Sequence, residues 1–413
     1  MNKKIFFLSL ITVISICGCF KAKNNNKSSE RSEEGCDVDM GEFAQYGDEL
    51  KDFLPEPNEV KLLFRHSLCE TVGDDGEDYF YNYCPSIKVE NNQMNAFYCT
   101  NKDWSNITDY VGYRKGKMED GILKFTKEEL VLSPTEGTWD QRHTCDPTVI
   151  KGEFNYNNEK YEYLMAYLGC VSSDCTLNET GIAVSHSYNG PWIKCDANKE
   201  GTDKPINPIV PYTDFDCASN SWGTGQACLV SVDQKGRVLL LTTVGCKTGS
   251  FMDVREYDFT NINNYQLIRQ SKVFNNGIEG GNKRVNNADY CFDPATKKFY
   301  MAKGRSPFGS DGQTPNFIAD TVDLYYADAS SYDNPFDIFF DNERTEGWHL
   351  INSVTPAKSG YPRNHNTGLV TDEYAHMFRS DRIGVAFTSS QYGSASSMTY
   401  LKTYRIFLTT FMV

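Results

Sequence analysis

The densest chemistry in this chain lies in His143-Thr144-Cys145-Asp146-Pro147, where an imidazole, a thiol and a carboxylate stand almost side by side. The Asp146 carboxylate could take a proton or a hydrogen bond at the head of a strand. The same Asp-Pro pair could instead cap that strand through turn chemistry, so both roles stay open. An apolar run follows to Ile150, then an Asn-rich turn near Asn157, then the aromatic and apolar run Lys160–Gly169. Such a pattern predicts an antiparallel hairpin whose first strand opens beside a polar centre. Trp139, just ahead of this hairpin, offers a flat ring that could meet a ligand or pack between neighbouring elements.

The elements that would position these residues recur. Hairpin patterns begin at Cys84, Asp146, Gln226, Asn287 and His365, at spacings of 62, 80, 61 and 78 residues. Each is followed by a further strand-like segment: Tyr110–Arg114, Gly181–His186, Phe251–Tyr257, Asp323–Asp328 and Met398–Tyr404. Helical patterns are scarce, the best being short ones at Met40–Phe53 and Lys127–Leu130. Five such units predict an all-β chain folded as a five-bladed β-propeller over residues 36–413, the first strand of each blade lining the axis. A β-sandwich followed by a second domain would explain the strands but not the likeness of the five hairpins. To close the ring, Glu59–Phe64 can supply an outer strand beside Arg405–Phe411, removing an exposed sheet edge. In this frame Trp222 also stands just before an inner strand.

Residues 1–19 carry Lys3 and Lys4, an apolar run, and the ending Ile16-Cys17-Gly18-Cys19, which reads as an export signal closing in a bacterial lipobox. Cys19 is then the lipidated first residue of the mature chain, and residues 20–35, rich in Lys, Asn, Ser and Glu, form a disordered tether. The expected location is the bacterial cell envelope, lipid-anchored and facing outside the cytoplasm. Of 14 cysteines, twelve remain after Cys17 and Cys19, an even number that suggests disulfides in an exported chain. Cys170 and Cys175 are close enough in one loop to pair. The formal charge of −14 argues against nucleic acid as a partner.

Asp146-Pro147 after a His, Gly181-Ile-Ala-Val-Ser-His-Ser-Tyr-Asn-Gly-Pro-Trp192 and Asn364-His365-Asn366 together resemble glycoside hydrolase family 43 and its five-bladed relatives over residues 80 to 400. The resemblance implies cleavage of arabinose- or xylose-containing poly- or oligosaccharides with inversion. It implies an Asp base in the first blade, a pKa-tuning Asp in the third and a Glu acid in the fourth. The chain departs from that pattern: Cys84-Pro85-Ser86 stands for the family's Asp-Pro-Ser, Gln226-Ala227 for Asp-Pro, and Asn287-Ala288-Asp289 for a Glu-containing motif. On this resemblance Asp146 would be the base and Asp289 or Glu279 the acid. Trp139, His143, Trp222, Gln226, Asn287 and Asn364 would contact sugar, and His365 would lie near a calcium ion on the axis. Two functions follow: a surface-anchored glycosidase, or a propeller that has lost hydrolysis and binds glycan or a protein partner.

Overall fold

Short apolar runs separated by Asn, Asp and Gly form antiparallel strands throughout the computed structural model, which describes residues 53–66, 80–102, 107–197, 206–278, 284–305, 318–391 and 404–413. The signal and tether, Cys19, the segment Met40–Lys51 and Glu279 lie outside these residues. After β1 (Val60–Phe64), the first blade comprises β2 (Asn82–Glu90), β3 (Gln93–Asn101), β4 (Asp109–Glu119), β5 (Ile122–Phe125) and β6 (Glu129–Leu132). The second holds β7 (His143–Tyr156), β8 (Glu159–Cys170), β9 (Glu179–Ser185) and β10 (Ile193–Lys194). The third holds β11 (Gly223–Ser231), β12 (Arg237–Cys246), β13 (Gly249–Asp258) and β14 (Gln266–Lys272). The fourth holds β15 (Ala288–Asp293), β16 (Lys298–Gly304), β17 (Val322–Asp328) and β18 (His349–Val354). The fifth holds β19 (Arg363–Asp372), β20 (Arg382–Ser390) and β21 (Arg405–Met412), with β1 as its outer strand.

Turn chemistry sets the hairpin register. Asn91-Asn92, Asn157-Asn158 and Asp120-Gly121 all take positive φ between the closing pairs Glu90/Gln93, Tyr156/Glu159 and Glu119/Ile122. These are the two-residue turns whose twist matches that of the flanking strands. Burial grades outward along each blade: the inner strands β2 and β15 are almost wholly buried, whereas the outer β14 and β5 alternate between exposed and half-buried residues.

Apolar packing closes the ring. One cluster joins blades one and two through Phe97, Tyr113, Val149 and Met165. A larger one runs through blades two, three and four, with Ile150, Leu229, Leu240, Phe292 and Phe299 among its members. Leu324 and Val385 tie the fourth blade to the fifth, and Val89, Val370 and Leu408 tie the fifth to the first. The inner strands of the fifth and first blades also pair directly, in parallel, at Val370/Ile87 to Asp372/Val89. The molecule is a five-bladed β-propeller.

One local expectation is corrected. Lys127–Leu130 is not helical: residues from Glu129 pair as a strand with β4, because four residues gain more from an existing sheet edge than from an isolated helical turn. In the last blade β20 pairs with Arg405–Met412, and of the expected segment Met398–Tyr404 all but Tyr404 lies outside the described residues. Arg405–Met412 is the segment that reaches both β20 and β1.

Candidate functional site

The inner strands share one distortion near their heads. Cys84, Asp146, Gln226, Asn287 and Asn366 all lie in the left-handed region, with φ of 51°, 47°, 46°, 50° and 44°. In β2, β7, β11 and β19 a register shift accompanies it, so the pairing slips and the backbone bends. A non-glycine residue in this region costs about 1–3 kcal/mol, and such residues concentrate at functional sites. Cys84, Gln226, Asn287 and Asn366 line one axial cavity together with Pro85, Pro147 and Asp289, and Asp146 stands beside it, hydrogen-bonded to Cys84 and Gln226. In the fifth blade the distorted residue is Asn366, one position after His365.

Of these five, only Asp146 is ionisable as a carboxylate. It is 5% exposed. Burial is the main force on it and raises its pKa from 3.8 to about 7, opposed by hydrogen bonds from the Cys84 thiol and the Gln226 backbone N–H and reinforced by the charge of Asp109. A disulfide between Cys99 of β3 and Cys145 of β7 crosses from the first blade to the second beside it. The Asp146 backbone nitrogen lies 2.8 Å from Cys99 Sγ, and the Tyr83 hydroxyl lies 2.9 Å from Cys145 Sγ. Burial also raises the Cys84 thiol well above its ordinary pKa, so it is a neutral hydrogen-bond donor at neutral pH.

Gln226 Nε2 reaches Asn366 Oδ1 at 3.5 Å, and the Asn287 backbone N–H donates to Thr243 Oγ1 at 2.9 Å. Gln226 Oε1 is buried without a hydrogen-bond partner. Tyr83, Cys84 and Trp222 are partly exposed and pack together around Cys99, Cys145 and Leu168. Two aromatic rings therefore pack against the disulfide.

The remaining candidates lie elsewhere. Asp289 lines the axial cavity and is half-buried; its Oδ2 accepts the Leu369 N–H at 2.7 Å, and Lys88 lies near enough to act on its carboxylate. Trp139 is stacked on Tyr167 at 5.6 Å and fills the space above Gly169 and Gly181, inside blade packing. Asn364 bonds the carbonyls of Asp320 and Tyr361 and accepts from Ser389 Oγ, so it fastens the fifth blade. His143 turns Nδ1 to Asp109 Oδ2 at 2.9 Å.

His365 is buried against Tyr404, and burial lowers its pKa to about 4. Calcium needs six to eight oxygen ligands, several of them carboxylates. The amide of Asn366 and the cation of Arg363 act on His365, whose Nε2 is buried without a hydrogen-bond partner, and neither group is a carboxylate.

No family model matches the chain, and no curated protein matches it. Solved structures do. The catalytic domain of the Coprinopsis cinerea GH62 alpha-L-arabinofuranosidase superposes with a TM-score of 0.50, covering 87% of this chain and 98% of that one at 10% identity. This chain has that fold. An alpha-L-arabinofuranosidase from Podospora anserina, solved with cellotriose, is similar at a TM-score of 0.47 and 11% identity over 86% of this chain and 98% of its own. An endo-arabinase from Bacteroides thetaiotaomicron is similar at 0.43 and 14% identity, over 80% and 93%.

The axial ring thus joins Asp146, Gln226 and Asn287 from the sequence reading with Cys84 and Asn366. Tyr83 and the Cys99–Cys145 bridge escape that reading. A Cys adjoining the Asp-Pro pair is visible in sequence, but its partner is set by which blades are neighbours.

Proposed function

We propose that the protein is a glycan-binding propeller whose axial mouth takes an arabinose- or xylose-containing saccharide without hydrolysing it. One observation carries this reading. Among the described residues, the five distorted axial positions hold a single carboxylate, Asp146. Inverting hydrolysis needs two carboxyl groups roughly 6.5–9.5 Å apart with water between them, one as acid and one as base. Asp289, the carboxylate that lines the cavity, is half-buried and held by the Leu369 N–H.

What the mouth does offer is suited to binding. The side-chain amides of Gln226, Asn287 and Asn366 can donate to and accept from sugar hydroxyls, and the Tyr83 and Trp222 rings give apolar faces on which a sugar stacks. Likeness in fold to an arabinofuranosidase agrees with a saccharide as the ligand class. The lipobox ending in Cys19 would hold such a receptor at the envelope surface, where polysaccharide is met from outside. The hydrolase reading keeps Asp146 as base with its pKa near 7 and must draw its acid from elsewhere, Glu279 being its candidate.

The binding claim is tested by calorimetric titration of arabino- and xylo-oligosaccharides into wild type and Trp222→Ala. Loss of a stacking face should weaken binding roughly 10-fold, equivalent to about 1.4 kcal/mol. Equal affinity in the two proteins, or no binding of either series, contradicts the proposal.

A further inference from the structure

A second cluster lies at the head of the second blade, outside the axial ring. His143 opens β7 and pairs across the hairpin with Cys170, the last residue of β8. The loop beyond carries Cys175, in the left-handed region at φ 50°. One donor atom from each of His143, Cys170 and Cys175 lies within 4.8 Å of the other two.

The imidazole is 1% exposed. Its Nδ1 faces Asp109 Oδ2 at 2.9 Å, with the Asp109 amide nitrogen 3.1 Å from the same atom. Asp109 is itself held by the Tyr81 hydroxyl, which donates to Oδ1 at 2.6 Å. The Asp109 N–H also points at Nδ1, and the carboxylate beside that nitrogen favours a proton on it, which leaves Nε2 as the atom to ligate once it gives up any proton of its own. That Nε2 is buried and has no hydrogen-bond partner. A buried polar atom left unpaired is unfavourable, so its persistence calls for a ligand. A carboxylate on the far nitrogen is the arrangement that fixes the tautomer and orientation of a metal-binding histidine.

We propose that His143 Nε2, Cys170 Sγ and Cys175 Sγ form a binding site for Zn2+. Two thiolates and an imidazole suit a borderline-soft d10 cation, whereas calcium and magnesium require oxygen ligands. Cys175 is exposed and gives the ion a route from solvent. On binding, each thiol and any imidazolium form of His143 lose a proton to solvent, and no electrons change hands. A fourth position is left for water. The bound ion would tie the loop after β8 to the Tyr81–Asp109–His143 chain, which runs from the first blade into the second. The rival state of the same atoms is a Cys170–Cys175 disulfide.

Co2+ titration distinguishes them, since thiolate ligation gives Co2+ an intense near-ultraviolet charge-transfer band. The full chain, mildly reduced and freed of reductant, should bind one equivalent with that band and release it to Zn2+. Cys175→Ser, in an exposed loop, should abolish the band while leaving circular dichroism and melting unchanged. His143→Gln should weaken binding roughly 10-fold or more. Cys84→Ser, which removes the thiol beside Asp146, should leave the band intact. A missing band, a band that survives Cys175→Ser, a band lost in Cys84→Ser, or a Cys170–Cys175 disulfide in the peptide map of the titrated sample overturns the proposal.

Discussion

Asp146 binds its proton more tightly in the folded protein than in the unfolded chain, because burial penalises the charged form more than the Cys84 and Gln226 hydrogen bonds relieve it. A carboxyl whose folded pKa is raised contributes stability that is fully present below its unfolded value near 3.8 and is lost as pH rises through about 7. Asp372 and Glu373, also raised to about 7 by burial, act in the same direction. Replacing Asp146 by Asn should therefore stabilise the protein at pH 8, by up to about 4 kcal/mol, and have little effect near pH 4. Urea denaturation of both proteins at pH 4, 6 and 8 measures this. A stability loss from pH 4 to 8 as steep in Asp146→Asn as in wild type would contradict it. The polar character of the axial positions was legible in the sequence because Cys84, Asp146, Gln226 and Asn287 recur at the heads of similar hairpins. The Cys99–Cys145 bridge was not, since the two residues meet only when blade one packs on blade two. Asp289 shows the same limit: its hydrogen bond to an amide 80 residues away depends on which strands become neighbours.

Among elements, the join between β19 and β2 is the most demanding. Here the two inner strands run parallel, and a Cβ added at Gly368 would stand 1.9 Å from the Pro85 carbonyl oxygen. The obstacle is backbone and cannot swing aside, so Gly368→Ala should destabilise the protein by roughly 2–4 kcal/mol. Gly249, where an added Cβ meets nothing within 4 Å but φ is 117°, is a useful contrast because its cost would come from backbone conformation alone. Thermal melts of Gly368→Ala would check the first claim, and a melting temperature equal to wild type would refute it. Hairpins were readable from alternating apolar runs and Asn-Asn turns. Outer strands were harder. The pattern at Lys127–Leu130 looked helical in isolation, and only the free edge of β4 makes Glu129–Leu132 a strand.

On the scale of the whole molecule, five blades bring five chain segments to one axis, and β1 pairs with β21 to close the ring through residues nearly 350 positions apart. The likeness of the hairpins revealed that ring in the sequence, but the family pattern carried by the same hairpins pointed to hydrolysis. We read the axis the other way, because Cys84, Gln226, Asn287 and Asn366, the other four distorted positions, carry no carboxylate. The most direct test is to incubate the purified chain with arabinan, xylan and aryl-pentosides near pH 7 and measure new reducing ends and released aglycone. The account expects no turnover above buffer in wild type or Asp146→Asn. Turnover by wild type that Asp146→Asn abolishes, in a variant that remains folded, would contradict it and establish a glycosidase.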